Sequence, residues 1–266
     1  MRSLTILTLL AGLAFSALAS AADDLMAAAQ AQFKPIPDKP PALPGNPASL
    51  AKVELGKMLY FDPRVSASHS ISCNNCHNIG LGGVDGQEKS IGHQWQRGGR
   101  NAPTVFNAVF NTAQFWDGRA KDLEEQAGGP MLNPIEMASP REHVSEQLAA
   151  IPGYVAAFKS AFPGSPSPVT LDNAQKAIAV FEATLITPNA PFDRYLKGDT
   201  SALTATQKQG LQLFIEKACA ACHNGINVGG GMYAPFGILE RPGAELLPPA
   251  DKGRFMVTET VGDQYV

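Results

Sequence analysis

Apolar residues recur at helical spacing along much of the chain. Ala48, Ala51, Leu55, Met58 and Leu59 share one face of a predicted helix. Asn46 reads as its cap, Pro47 as its first position, and Pro63 lies beyond its end. Ala174, Ile178, Phe181 and Leu185 form a second stripe, on a helix starting at Thr170. Thr204 and Gln207 make a capping box for a third helix, which runs to about Lys217. Ser139, Pro140 and Glu142 open another, which reaches Ile151 and stops at Pro152-Gly153, and one more follows near Tyr154–Phe162. A short helix is expected over Asp23–Phe33. The prolines at 35, 37, 40, 41, 44 and 47 keep the next stretch extended. No strand-like alternation persists, so the expected fold class is all-α.

The cysteines give these helices a purpose. Cys73-Asn74-Asn75-Cys76-His77 and Cys219-Ala220-Ala221-Cys222-His223 are both C-x-x-C-H patterns, and together they use every cysteine of the chain. On a helical turn, residues three and four apart share a face. Both thiols of a pattern can therefore bond to one haem, with His77 or His223 placed to ligate its iron. A lone C-x-x-C also suits a redox pair or half of a zinc site, with the other ligands drawn from the second copy. Two copies, each followed directly by histidine, favour haem attachment. The helices leading into them also correspond: Gly56, Leu59 and Tyr60 match Gly210, Leu213 and Phe214, and both motifs end Cys-His-Asn. This reads as an internal duplication. It gives two cytochrome c-like haem domains with long Gly/Pro-rich loops, at 22–186 and 187–266, the second incomplete.

Arg2, the apolar run Leu4–Leu18 and Ala19-Ser20-Ala21 have the order of a secretory signal peptide over 1–21. No later apolar run is long enough to cross a bilayer. The formal net charge of −3 argues against nucleic acid, which selects basic surfaces. Oxidising compartments usually bring disulfides, but haem would consume all the thiols here.

Further motifs surround the first pattern: a Gly-rich loop to His93, Arg100-Asn101-Ala102-Pro103-Thr104, Phe115-Trp116-Asp117-Gly118-Arg119 and Gly253-Arg254-Phe255. With Ser72–Asn78 they resemble the bacterial dihaem cytochrome c peroxidases, from about Ala48 to the last residue. The resemblance implies a periplasmic enzyme, a homodimer, that reduces hydrogen peroxide to water. Its electrons would come from a small cytochrome c or a cupredoxin. It implies that the first haem is peroxidatic, with His77 as proximal ligand and His93 as second iron ligand at rest. The glycines around His93 would let that loop rearrange; otherwise His93 is a surface histidine on chain passing close to a flat cofactor. Glu136 is implied as the distal acid–base group, where position alone would make it a solvated acid. Gln126 would be its polar companion and Trp116 an aromatic bridge between haems, where a core aromatic is the plainer reading. Asn101 would bind a calcium ion through oxygen. His69 and His143 receive no role.

Two other functions remain open: a dihaem electron-transfer cytochrome, and an oxidase that modifies another protein's tryptophan. The second has relatives lacking the distal histidine, so His93 argues against it. The family continues beyond the present match into a segment with a methionine ligand, more calcium ligands and a closing helix. Met232 and Met256 are the only methionines after His223, so the second haem is expected to lack its usual partner.

Overall fold

The computed structural model describes residues 24–235, 237, 240 and 250–266. The expected signal peptide lies outside them. The described residues are helical, with three isolated β-bridges and no strand. Ten helices follow in order: α1 (24–32), α2 (Leu50–Phe61), α3 (Cys73–Cys76), α4 (Leu123–Leu132), α5 (Arg141–Ala149), α6 (Pro152–Ala161), α7 (Leu171–Ala183), α8 (Pro191–Leu196), α9 (Ala205–Glu216) and α10 (Phe255–Thr258).

Their starts follow from side-chain caps. The Thr170 hydroxyl accepts from the Asn173 N–H at 3.1 Å, opening α7. Thr204 and Gln207 close a reciprocal box at the start of α9: the Thr204 N–H donates to Gln207 Oε1 at 2.8 Å and the Gln207 N–H to Thr204 Oγ1 at 3.3 Å. The start of α2 corrects the sequence reading. Ser49, not Asn46, is its cap, accepting from the Lys52 N–H at 3.2 Å. Asn46 is buried instead, with its Oδ1 taking the Lys52 ammonium and its Nδ2 donating to the Lys176 carbonyl, each at 2.9 Å. That amide is spent on long-range bonds, so the cap moves to the next hydroxyl.

The chain forms two compact units, and they are not contiguous in sequence. The larger holds Lys39–Ile186 and Tyr233–Val266; the smaller holds 24–38 and Thr187–Met232. This grouping differs from the expected division into 22–186 and 187–266: it places 24–38 with Thr187–Met232, and 233–266 with Lys39–Ile186.

In the larger unit, α2 and α7 pack as the central pair. A Cβ on Gly56 would overlap the Ala177 carbonyl and lie 2.8 Å from the Phe181 Cβ, so only glycine permits this approach. Leu55, Leu59, Met131, Val144, Leu148, Phe158 and Ile178 fill the space between these helices and α4, α5 and α6. In the smaller unit, α1 contributes Ala29 and Phe33 to a core with Tyr195, Leu196, Leu203 and Ala220. Phe33 meets Phe192 edge-on at 5.3 Å between ring centres. Asp193 secures the extended stretch after α1, accepting from the Ile36 N–H at 2.9 Å.

Candidate functional site

The larger unit encloses a cavity of about 670 Å³, a size usual for small-molecule and cofactor sites. Cys73 and Cys76 reach it from α3. That turn is fixed by Asn75, whose Oδ1 accepts from the Ser72 N–H at 2.8 Å. The His77 N–H continues the turn, donating to the Cys73 carbonyl at 2.9 Å. The His77 ring lines the same cavity, with its Nδ1 2.9 Å from the Pro103 carbonyl oxygen. That carbonyl can only accept, so Nδ1 carries the proton and Nε2 keeps its lone pair. Burial also pushes the His77 pKa down, favouring the neutral ring. The Tyr60 hydroxyl holds the His77 carbonyl at 2.5 Å.

Glu136 and Gln126 line this cavity too, Gln126 from α4 and Glu136 from the turn that follows it. Asn133 donates to Glu136 Oε1 at 3.1 Å. Burial raises the Glu136 pKa, opposed by the Arg119 charge and by the Asn133 bond. A carboxyl so placed can hold or release a proton inside the cavity.

His93 does not line the cavity, although its neighbours Ser90 and Gly92 do. Its Nδ1 is buried without a hydrogen-bond partner among the described residues. Its backbone N–H donates to the Glu136 carbonyl at 2.7 Å. Gln94 and Trp95, directly after it, both have left-handed φ values, +53° and +63°, which side chains other than glycine adopt at a cost. Trp95 is 85% exposed.

Trp116 and Asn101 also border the cavity, joined by a bond from the indole N–H to the Asn101 carbonyl at 2.9 Å. Trp116 is 59% exposed rather than a core aromatic. The Asn101 amide nitrogen donates to the Gln87 carbonyl at 2.7 Å. Among the described residues, no group of three or more His, Cys, Asp and Glu side chains is placed to hold a metal ion.

One side of the cavity is built from ion pairs that the sequence does not announce as a group. Arg100 makes two bonds of 2.6 Å to Asp251 and one of 2.8 Å to Asp117. Arg119 holds both Asp117 oxygens at 2.9 and 3.0 Å and lies over the Phe115 ring. Arg254 donates to the Asp117 carbonyl at 2.7 Å. Arg100, Asp117, Arg119 and Arg254 lie in the motifs noted above, and Asp251 lies in none of them. Met256 borders this same cavity, in the larger unit, and so is not in the unit that contains His223. A further acid on the wall, Glu182 of α7, was hidden inside an apolar stripe.

The second motif lies in the smaller unit. Cys219–Ala221 form a single tight turn entered through left-handed Ala218, and the His223 N–H returns to the Cys219 carbonyl at 2.9 Å. The His223 ring stands edge-on to Phe214 of α9, 6.2 Å between centres. All four cysteines are free thiols.

The residues present fit covalently attached haem. Each motif offers two free thiols on one turn and an imidazole, and the first adds a mostly apolar cavity and a histidine whose Nε2 is left to coordinate.

Comparison with known proteins agrees. Residues 50–201 match the family model described as di-haem cytochrome c peroxidase. The cytochrome c551 peroxidase of Pseudomonas aeruginosa is 56% identical over 254 residues, covering 96% of this chain and 73% of that protein. The cytochrome c551 peroxidase of Nitrosomonas europaea is 49% identical over 221 residues, 83% of this chain and 65% of its own length. The methylamine utilization protein MauG of Methylorubrum extorquens is 44% identical, covering 79% of this chain and 60% of that one. Among solved structures, a MauG-like protein associated with microbial copper homeostasis superposes with a TM-score of 0.73 at 27% identity, over 87% of this chain and 71% of that one. This chain thus spans roughly half to three quarters of the length of the curated relatives it matches.

Proposed function

The chain belongs to the di-haem cytochrome c peroxidase family, and on that premise we propose that it reduces hydrogen peroxide to water at the cavity of the larger unit. Cys73, Cys76 and His77 would hold one haem, and Cys219, Cys222 and His223 a second. Such a group supplies the iron that binds peroxide and accepts electrons. The protein's own part is proton handling and positioning. His77, with Nδ1–H held by Pro103, would have Nε2 free to hold the iron. Glu136 takes a proton from one peroxide oxygen and returns it to the other, which leaves as water. Gln126 orients the peroxide by hydrogen bonding. The balance is one peroxide, two electrons and two protons to two waters.

The electrons come from a small cytochrome c or cupredoxin, with Trp116, at the cavity border, the aromatic bridge that the resemblance implies. The periplasmic location rests on the signal-like residues 1–21, and the homodimer and the calcium ion near Asn101 rest on the resemblance alone. By the resemblance His93 would be the resting ligand of the first haem; its neighbours Ser90 and Gly92 line the cavity, its own side chain does not, and its backbone is linked to Glu136.

The observation that carries the reading is that His77, Gln126, Glu136 and both first-motif thiols border one cavity. The test is peroxide turnover by the protein with both haems attached, fully oxidised and half-reduced, with a reduced small cytochrome c as donor. Turnover in either state is expected. Absence of turnover in both would leave an electron-transfer cytochrome.

A further inference from the structure

Glu182 sits one residue before the end of α7, the helix at the centre of the larger unit. It is 6% exposed, it lines the cavity of the first motif, and its Oε2 has no hydrogen-bond partner among the described residues. Buried carboxyls are normally paired or hydrogen-bonded. One left without a partner on the wall of a cofactor cavity calls for a role that the peroxidase chemistry above does not give it.

Among the described residues no cation forms an ion pair with it. Tyr60 of α2 and Cys73 of α3 face it, and a charge on Glu182 makes each of them harder to ionise. From α4, Glu124 interacts with Lys176, Asp122, Lys121 and Asp172, away from Glu182. From α5, Arg141 pairs with Asp172 in the first turn of α7, at the opposite end of that helix. The other charged groups on the cavity wall are Lys89, Arg100, Asp117, Arg119, Glu136 and Asp251. Arg100 and Arg119 are engaged by Asp117 and Asp251. Burial alone pushes the Glu182 pKa up to about 8. At neutral pH the side chain is then a neutral acid, poised to titrate.

We propose that Glu182 is a proton-binding site coupled to electron uptake by the haem held at Cys73, Cys76 and His77. One electron from the donor reduces that haem, and one proton from solvent closes an O–H bond on the Glu182 carboxylate. The physical reason is charge balance. An oxidised haem adds a positive charge to a poorly solvated cavity and favours the carboxylate; reduction removes that charge and favours the acid. The inference rests on the haem attachment proposed above and does not need peroxide turnover.

The test is the midpoint potential of the first haem, measured against pH in protein with both haems attached. In wild type the potential should fall with rising pH between about pH 6 and about pH 9, by up to about 59 mV per tenfold change in proton activity. Glu182→Gln should remove that component at unchanged haem content, and Glu182→Asp should retain part of it. An identical slope in wild type and Glu182→Gln would overturn the proposal. Wild type alone supplies a second measurement, should the variants fail to mature. The oxidised-minus-reduced infrared difference spectrum should show a protonated-carboxyl carbonyl band that shifts in D2O, and absence of that band would also overturn it. Loss of peroxide turnover with the pH slope intact would sink the peroxidase reading and leave this one standing.

Discussion

The backbone N–H of His93 donates to the backbone carbonyl of Glu136 at 2.7 Å. The loop carrying the expected iron ligand and the turn carrying the expected acid–base group are therefore tied at a single peptide. A change in one is felt by the other. The tie depends on close approach: a Cβ on Gly92 would overlap the Ile135 carbonyl and sit 2.7 Å from the Glu136 Cα.

Gly92→Ala is accordingly expected to push these segments apart. The cost should be about 1–3 kcal/mol of stability, as for other overpacking changes. The resting spectrum of the first haem should change as His93 is displaced. Thermal unfolding and an oxidised-state absorption spectrum check both. A native spectrum with native stability would show that the contact yields freely.

Glu136→Ala should lower peroxide turnover on the order of 10²-fold or more, the usual effect of losing a positioned acid–base group. Haem content should not change, because Glu136 holds neither thiol nor imidazole. Steady-state kinetics beside a haem assay separates these outcomes.

Cys73→Ala combined with Cys76→Ala should leave one covalent haem per chain in place of two, as should the same pair of changes at Cys219 and Cys222. Haem-to-protein ratios after denaturation measure this. A ratio unchanged by either pair would mean that the motif does not hold the group.

Asp62 gives a prediction for acid stability. Burial pushes its pKa up, but bonds from Arg64 and from the Tyr154 hydroxyl outweigh that and hold it below the ordinary carboxylate value. A depressed folded-state pKa means that its stabilisation is present above the unfolded pKa of about 3.9 and is lost as pH falls through the folded value. Tyr154→Phe removes one donor, at a cost of about 1–3 kcal/mol at neutral pH. The difference from wild type should shrink under acid, and denaturant midpoints at neutral and at acid pH decide it.

Arg100→Leu should release the segment 250–266, because Asp251 loses both of its 2.6 Å bonds at once. Faster limited proteolysis within that segment is the expected sign. Asp117 keeps Arg119, so that part of the cavity wall should survive while the part lent by Asp251 and Met256 opens.

Much of this was legible from local chemistry. Thr170, and Thr204 with Gln207, announce helix starts because a cap is decided within four residues. Cys73, Cys76 and His77 stand out as a proposed attachment site because that pattern needs only one turn. The apolar stripes of α2 and α7 marked buried faces, though Met58 of the first is exposed, and did not say that the two helices would pack on each other. Partners distant in sequence were not legible. Asn46 looked like a cap because its bond to the Lys176 carbonyl is invisible in a local window. Residues 233–266 looked like the tail of the second half, since no pattern in the chain declares that Arg100 will meet Asp251. Glu182 reads as a polar interruption one turn after Ile178, and only burial reveals that it is enclosed.

The interleaving of the two units also sets a timetable for biogenesis. Phe33 packs against Phe192 and Phe214, so the smaller unit cannot close until its distal half has been made. At roughly 5–20 residues per second, α1 waits on the order of ten seconds or more with its aromatic anchor exposed. During that interval the nascent chain offers a sticky N-terminal segment to any chaperone in reach. Shortening the wait, by moving residues 24–38 to follow residue 232 in a permuted gene, would let the small unit fold as a continuous stretch.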